Sequence, residues 1–277
     1  MELTRGSLAP CDACAAGKAK QKNVPKKSEH VPSTKSNGRM HLDLATVKKV
    51  KDGPPVTKKN WLIMVDEKTG LKFSSFHQTK DGIVEPTCEQ FSKWKQAGGP
   101  VEPVRLDNAG ENLKLKARSE SAAWKLNIKH EFTARATPQQ NHLAELGFAA
   151  MTNRGRAVMH QANMPLVIRC KLWREAFKTV TLLDGLMPIK IDGVINTRYV
   201  HWGGVNPAFS KHLSSWGEAG AAKVKIKATP RVADRGAQCV MAGHALDHEG
   251  DCCRMWDPNT ERVHQSRDVI WPRRMFY

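Results

Sequence analysis

The chain has 277 residues, 44 of them Lys or Arg against 27 Asp or Glu, for a formal net charge of +17. That length fits one mid-sized domain and a small one, and the 40% apolar content suffices for a packed core. The charge excess points to a polyanion, most commonly nucleic acid, with a merely basic solvated surface as the bland alternative.

Residues 1–37 are rich in Lys, Pro, Ser and Gly without apolar periodicity, and read as a flexible basic arm. Within the arm, Cys11 and Cys14 form a CxxC, half of a tetrahedral zinc site, and two free thiols are the simpler reading. Three strand-like runs follow, Arg39–Val47, Lys59–Val65 and Leu71–His77, the last two joined by the turn Asp66–Gly70. Pro86 suits the first position of a helix running to about Ala97, with Phe91 and Trp94 on one face. Val101–Leu106 is the next strand, Glu111–Leu126 a helix and Lys129–Thr133 a short last strand. A long helix spans Gln139 to about Ala162, weakened by Gly147, and another spans Cys170–Leu186. This order implies an α/β fold with a mixed five-stranded sheet and flanking helices, occupying residues 38–197. Beyond it, runs at Ala221–Ile226, Ala237–Ala242, Cys253–Asp257 and Arg262–Val269 suggest a small all-β module over residues 198–277.

No N-terminal stretch has a signal peptide's apolar core, and the longest apolar runs are too short to cross a bilayer. A soluble intracellular chain without a membrane partner is therefore expected. Its seven scattered cysteines fit no secreted disulfide framework and are expected to be reduced.

Three acids stand out by context: Asp43 mid-strand, Asp107 at a strand tip and Glu145 one turn into a helix. Converging carboxylates form a hard, oxygen-only site suited to Mg²⁺ or Mn²⁺. Two such ions about 4 Å apart can stabilise the entering and leaving oxygens of a phosphodiester. Each acid alone reads more simply as surface charge; together the balance reverses.

The contexts also resemble a family. His41–Leu44, then Leu106–Glu111, then Thr137–Glu145 are similar to the integrase core of copia-type LTR retrotransposons. The similarity continues through Leu172–Ala176, Asn206–Pro207, His212–Leu213, Ser215–Gly217 and Ser266–Val269, and so covers nearly the whole chain. It implies a ribonuclease-H-like fold followed by a small SH3-like barrel. It also implies a catalytic, metal-binding triad of Asp43, Asp107 and Glu145 using two Mg²⁺ or Mn²⁺ ions. The implied activity joins element DNA 3′ ends to target DNA in the nucleus, by a multimer of the chain. Asn108, Gly110 and Asn141 lie in the matching motifs and are expected to shape the site. Lys48, Lys49, Arg105, Arg154 and Arg156 are expected to contact DNA.

The departures are specific. The zinc histidines that would complete Cys11 and Cys14 are absent, so no zinc is expected there. His142 and Leu146 stand where the family has Gly and Arg. The chain stops where the polyprotein would continue into reverse transcriptase, so it reads as a polyprotein piece or a genomic remnant. Two alternatives stay open: a catalytically inactive remnant that binds DNA through its charge, and a ribonuclease H acting on RNA–DNA hybrids.

Cys239, His244, His248, Cys252 and Cys253 fit no closed zinc module and are expected to be a buried thiol plus loop residues. Trp61, Trp94 and Trp173 are expected in the core, whereas Trp202, Trp216 and Trp271 are divided between core and base stacking.

Overall fold

A computed structural model describes residues 31–51, 53–99, 101–133, 141–223 and 234–277. Cys11, Cys14, most of the basic arm and the Thr137–Gln140 part of the glutamate motif lie outside these residues.

Strand β2 (Asn60–Asp66) is buried along its whole length, which explains a continuous apolar run rather than an alternating one: both faces are covered. It pairs antiparallel with β1 (Met40–Thr46) on one side and β3 (Lys72–His77) on the other. Strand β4 (Val104–Leu106) runs parallel to β1, and β5 (His130–Phe132) runs parallel to β4. The resulting order, β3-β2-β1-β4-β5, is the expected ribonuclease-H-like mixed sheet.

The parallel strands require crossovers, and helices supply them. Helix α1 (Val84–Gln96) buries Phe91 and Trp94 on the face with Met40, Leu42 and Leu62. Helix α2 (Gly110–Glu120) stops short of the expected Leu126. Ser121 turns extended and its hydroxyl donates to the Arg118 carbonyl at 2.6 Å, which ends the helix.

The opposite face carries α3 (His142–Gln161) and α4 (Leu166–Asp184). Helix α4 begins at Leu166 rather than Cys170, because the extended Pro165 sets its N-terminus. Gly147 weakens α3 by propensity, yet a Cβ there would sit 2.9 Å from Ile63 Cδ1, so the glycine lets α3 lie close on the sheet. Gly155 does the same between helices: an added Cβ would fall 2.2 Å from Phe177 Cδ1. Phe177 is buried and cannot yield freely. Gly155→Ala is expected to cost roughly 1–3 kcal/mol, read as a lowered denaturation midpoint with an unchanged slope.

Two further elements were not expected: the hairpin β6 (Pro188–Ile191) to β7 (Val194–Thr197), and helix α5 (Arg198–Gly203) after it. The hairpin turns on Asp192 and Gly193, both at positive φ (49° and 84°).

The expected small β module follows as a five-stranded, wholly antiparallel sheet. Its strands are β8 (Ala219–Lys223), β9 (Gly236–His244), β10 (Cys253–Asp257), β11 (Arg262–Ser266) and β12 (Val269–Ile270). They lie in the order β11-β10-β9-β8-β12. Helix α4 lies against both sheets: Trp173 and Phe177 share one apolar cluster with Trp61 and with Val240, Ala242 and Trp256. Polar ties reinforce the contact, with Arg254 pairing Glu175 at 2.7 Å and Trp216 Nε1 donating to the Ala242 carbonyl at 3.2 Å. Residues Pro32–Tyr277 accordingly form one compact unit. Trp61, Trp94 and Trp173 are core residues as expected, and Trp216 joins them. Among the described residues no helix is long and apolar enough to cross a membrane.

Candidate functional site

Asp43 sits mid-way along β1, opposite Ile63 of β2. Alternation sends Leu42 into the α1 side of the sheet and leaves Asp43 on the α3 side, half-buried. Its Oδ1 accepts the Leu44 N–H at 2.8 Å. The carboxyl is nevertheless pushed up to about 6, chiefly by burial, and further by the charges of Asp107, Glu145 and Glu111. Three carboxylates thus stand within electrostatic reach of a fourth.

Asp107 directly follows β4, at the carboxyl end of the strand parallel to β1. Its Oδ1 accepts from the Ala109 N–H at 3.2 Å and from Asn112 Nδ2 at 2.5 Å. Asn112 is buried near the start of α2 and also donates to the Asp107 carbonyl at 3.3 Å. Sequence alone does not flag this clamp, since an Asn five residues after an acid carries no distinctive signal. Glu111, whose charge also reaches Asp43, pairs with Lys80 at 3.4 Å. Asn108 and Gly110 are exposed beside Asp107; a Cβ added at Gly110 would meet nothing.

Glu145 is exposed on the first turn of α3, and Asn141 fixes where that turn begins. The buried Asn141 amide donates to the Leu42 carbonyl at 2.9 Å, tying α3 to the strand of Asp43. That donation sets the amide's orientation, so Asn141 Oδ1 takes the proton of His41 Nδ1 at 3.1 Å. His41 Nε2 then faces Glu67 Oε1 at 3.3 Å, a hydrogen bond only when a proton lies between them. Burial lowers the His41 pKa, against the opposing pull of Glu67 and Asn141. His142 packs edge-on over His41 with ring centroids 6.4 Å apart, and Leu146 is 61% exposed beside Glu145.

The basic residues separate into two groups. Arg105 pairs with Glu131 through Nε and a terminal nitrogen (3.2 and 3.0 Å), and Arg39 reaches the same carboxylate at 3.2 Å. Arg154 is bound to the buried Asp184. Lys48, Lys49 and Arg156 form the second group, and Lys48 and Arg156 line the same cavity.

Among the described residues no three His, Cys, Asp or Glu side chains form a ready-made ligand set for a metal. Asp43 lies within the charge of Asp107, Glu111 and Glu145, but among the described residues these acids form no common ligand sphere. The donors are all carboxylates, which suits a hard divalent ion. Elsewhere, Cys239, Cys252 and Cys253 are buried free thiols, and His244 is buried beneath Phe209 with its pKa lowered by burial to about 4.

No protein-family model matches this chain. Over 274 residues, 96% of its length, the chain is 24% identical to the Retrovirus-related Pol polyprotein from transposon TNT 1-94 of Nicotiana tabacum. It spans 19% of that relative's length. Among solved structures, it is similar to a chain in the simian T-cell lymphotropic virus intasome in complex with PP2A regulatory subunit B56 gamma. There the TM-score is 0.48 and the identity 12%, over 95% of this chain and 88% of that one.

Proposed function

We propose that this chain is the integrase segment of a copia-type retrotransposon Pol polyprotein, joining element DNA 3′ ends to target DNA. The observation that carries the reading is Asp43: a half-buried acid facing three others is costly unless a cation resides there. Asp43, Asp107 and Glu145 would hold that metal, with Glu111 beside them. Bound there, Mg²⁺ or Mn²⁺ would offset the carboxylate charge and stabilise the entering and leaving oxygens of an in-line displacement at phosphorus.

The protein's own part is positioning. Asn112 and the Ala109 N–H orient the Asp107 carboxylate. Asn141 holds the start of α3, and hence Glu145, against β1. Lys48, Lys49 and Arg156 are the cations available for phosphates, and the overall charge of +17 favours DNA as the partner. The same reading assigns residues 1–37 to a basic arm, 38–197 to the catalytic domain and 198–277 to the β module. It places the working form in the nucleus as a multimer.

The test is strand transfer in Mn²⁺, with a labelled oligonucleotide bearing a free 3′-hydroxyl and a plasmid target. Wild-type protein is expected to yield joined product and Glu145→Gln none. Salt-sensitive DNA binding without product from either protein would assign the chain to inactive DNA-binding remnants. Cleavage of an RNA–DNA hybrid without joining would make it a ribonuclease H.

A further inference from the structure

A cavity of about 780 Å³ lies between the end of β1, strand β2 and the facing parts of α3 and α4, and none of the four acids lines it. That is the size of a small-molecule site rather than a packing void. Its walls are aromatic: Trp61, Phe148, Trp173 and Phe177 line it. Phe148 meets Trp61 edge-on at 4.7 Å between centroids, and Phe177 meets Trp61 at 5.0 Å, so the walls brace one another.

Beside the neutral Thr152 and Asn153, the charged lining is of one sign. Lys48, Arg156, Arg169 and His160 border the cavity, and among the described residues no Asp or Glu does. Nor does any described acid pair with Lys48 or Arg156. Arg169 is fixed in place because its Nε donates to the Met164 carbonyl at 2.6 Å. That bond leaves its terminal nitrogens to a ligand.

An aromatic hollow edged by several cations and no acid is complementary to one class of molecule. We infer that this cavity binds a small amphiphilic anion, an aromatic body seated among Trp61, Phe148 and Phe177 with its carboxylate or sulfonate held by Arg156 and Lys48. The ring system would be buried against apolar walls that water solvates poorly, and the acid group would remain at the wet rim. Arg156 and Lys48 are also the cations offered to phosphates above, so the two ligands would compete for them. The inference rests on none of the four clustered acids.

The probe is anilinonaphthalene sulfonate, whose emission rises in apolar surroundings, titrated into the whole chain. Saturable one-site binding is expected, with energy transfer from tryptophan. Arg156→Ala is expected to weaken it about five- to tenfold. Ala157→Trp, which places an indole in the cavity, should abolish it while circular dichroism stays unchanged. Phenylnaphthylamine, the uncharged counterpart, should bind at least about fivefold more weakly. Non-saturating binding, or binding that Ala157→Trp leaves intact, would overturn the site. Equal binding of the neutral probe would overturn the anion preference. Displacement of the probe by a short single-stranded oligonucleotide but by no aromatic carboxylate would make the cavity a nucleic-acid surface, and would overturn it too.

Discussion

Asp43→Asn should make the metal-free protein more stable while abolishing the DNA joining proposed above. In the folded chain the Asp43 carboxyl titrates near 6, against 3.8 for a free aspartate. The folded state therefore binds the proton more tightly than the unfolded state. The resulting stability is full below the unfolded value and is lost as pH rises through about 6. At about pH 7 the ionised group costs roughly 3 kcal/mol, since each tenfold change in proton affinity is worth about 1.4 kcal/mol. Asparagine mimics the protonated form and escapes that penalty. Thermal melts in a chelator at neutral pH should place the Asp43→Asn variant several degrees above wild type. The gap should close near pH 3, where Asp43 is largely protonated in both states. Adding Mn²⁺ should raise the wild-type melt and leave the variant where it was. A variant less stable than wild type at every pH would show that Asp43 is held by its neighbours rather than strained by them.

Asp184→Asn should act in the opposite direction, and more severely. Asp184 is 2% exposed at the end of α4 and meets Lys72 of β3 at 2.8 Å, Arg198 of α5 at 3.5 Å, and Arg154 of α3. Burial alone would raise its pKa, but Lys72, Arg198 and Arg154 outweigh burial and hold the carboxyl below its ordinary value. Lys72 shows the reverse outcome: burial dominates and lowers it. The two partners differ because Asp184 has three cations to itself, whereas Lys72 shares one acid with two arginines. The carboxylate's contribution is complete above the unfolded value near 3.8 and is lost as pH falls through the lower folded one. Removing it leaves three cations around an uncharged, buried amide, at a cost of roughly 3–5 kcal/mol. Chemical denaturation should show a lowered midpoint at constant slope. A paired Lys72→Met, Asp184→Leu change should recover only part of the loss, because it removes the acid and its most buried cation but leaves Arg154 and Arg198 without a partner there. A single variant that melts with wild type would show that the cluster is solvated.

Much of the sheet was legible because its signals are local. Strand β2 is an uninterrupted apolar run, β1 and β3 alternate, and Pro86 marks the neighbourhood of a helix start. What escaped was partly local turn chemistry and partly what depends on distant partners. The end of α2 is decided by the Ser121 hydroxyl and by the return of Leu126 N–H to the Ser119 carbonyl at 2.9 Å, not by propensity. The Asp192–Gly193 hairpin does carry a signal, an Asp-Gly pair flanked by β-branched residues, but the end of a long helix close by obscures it. At the site, the acids stood out by sequence context. The groups that orient them did not: the Asn112 clamp on Asp107 carries no distinctive signal, and the roles of His41 and Glu67 behind Asn141 exist only once β1 meets α3. Arg105 and Arg154 illustrate the same limit, since sequence shows a cation but not the acid it faces.

Helix α4 has a further consequence. Its Trp173 and Phe177 lie in the same apolar cluster as Trp61 on one side and Val240 and Trp256 on the other. The β module therefore cannot behave as a bead on a string, sampling orientations independently of the acid-bearing sheet. Any load on its strands, from whatever the module grips, is transmitted through α4 to the sheet that carries Asp43.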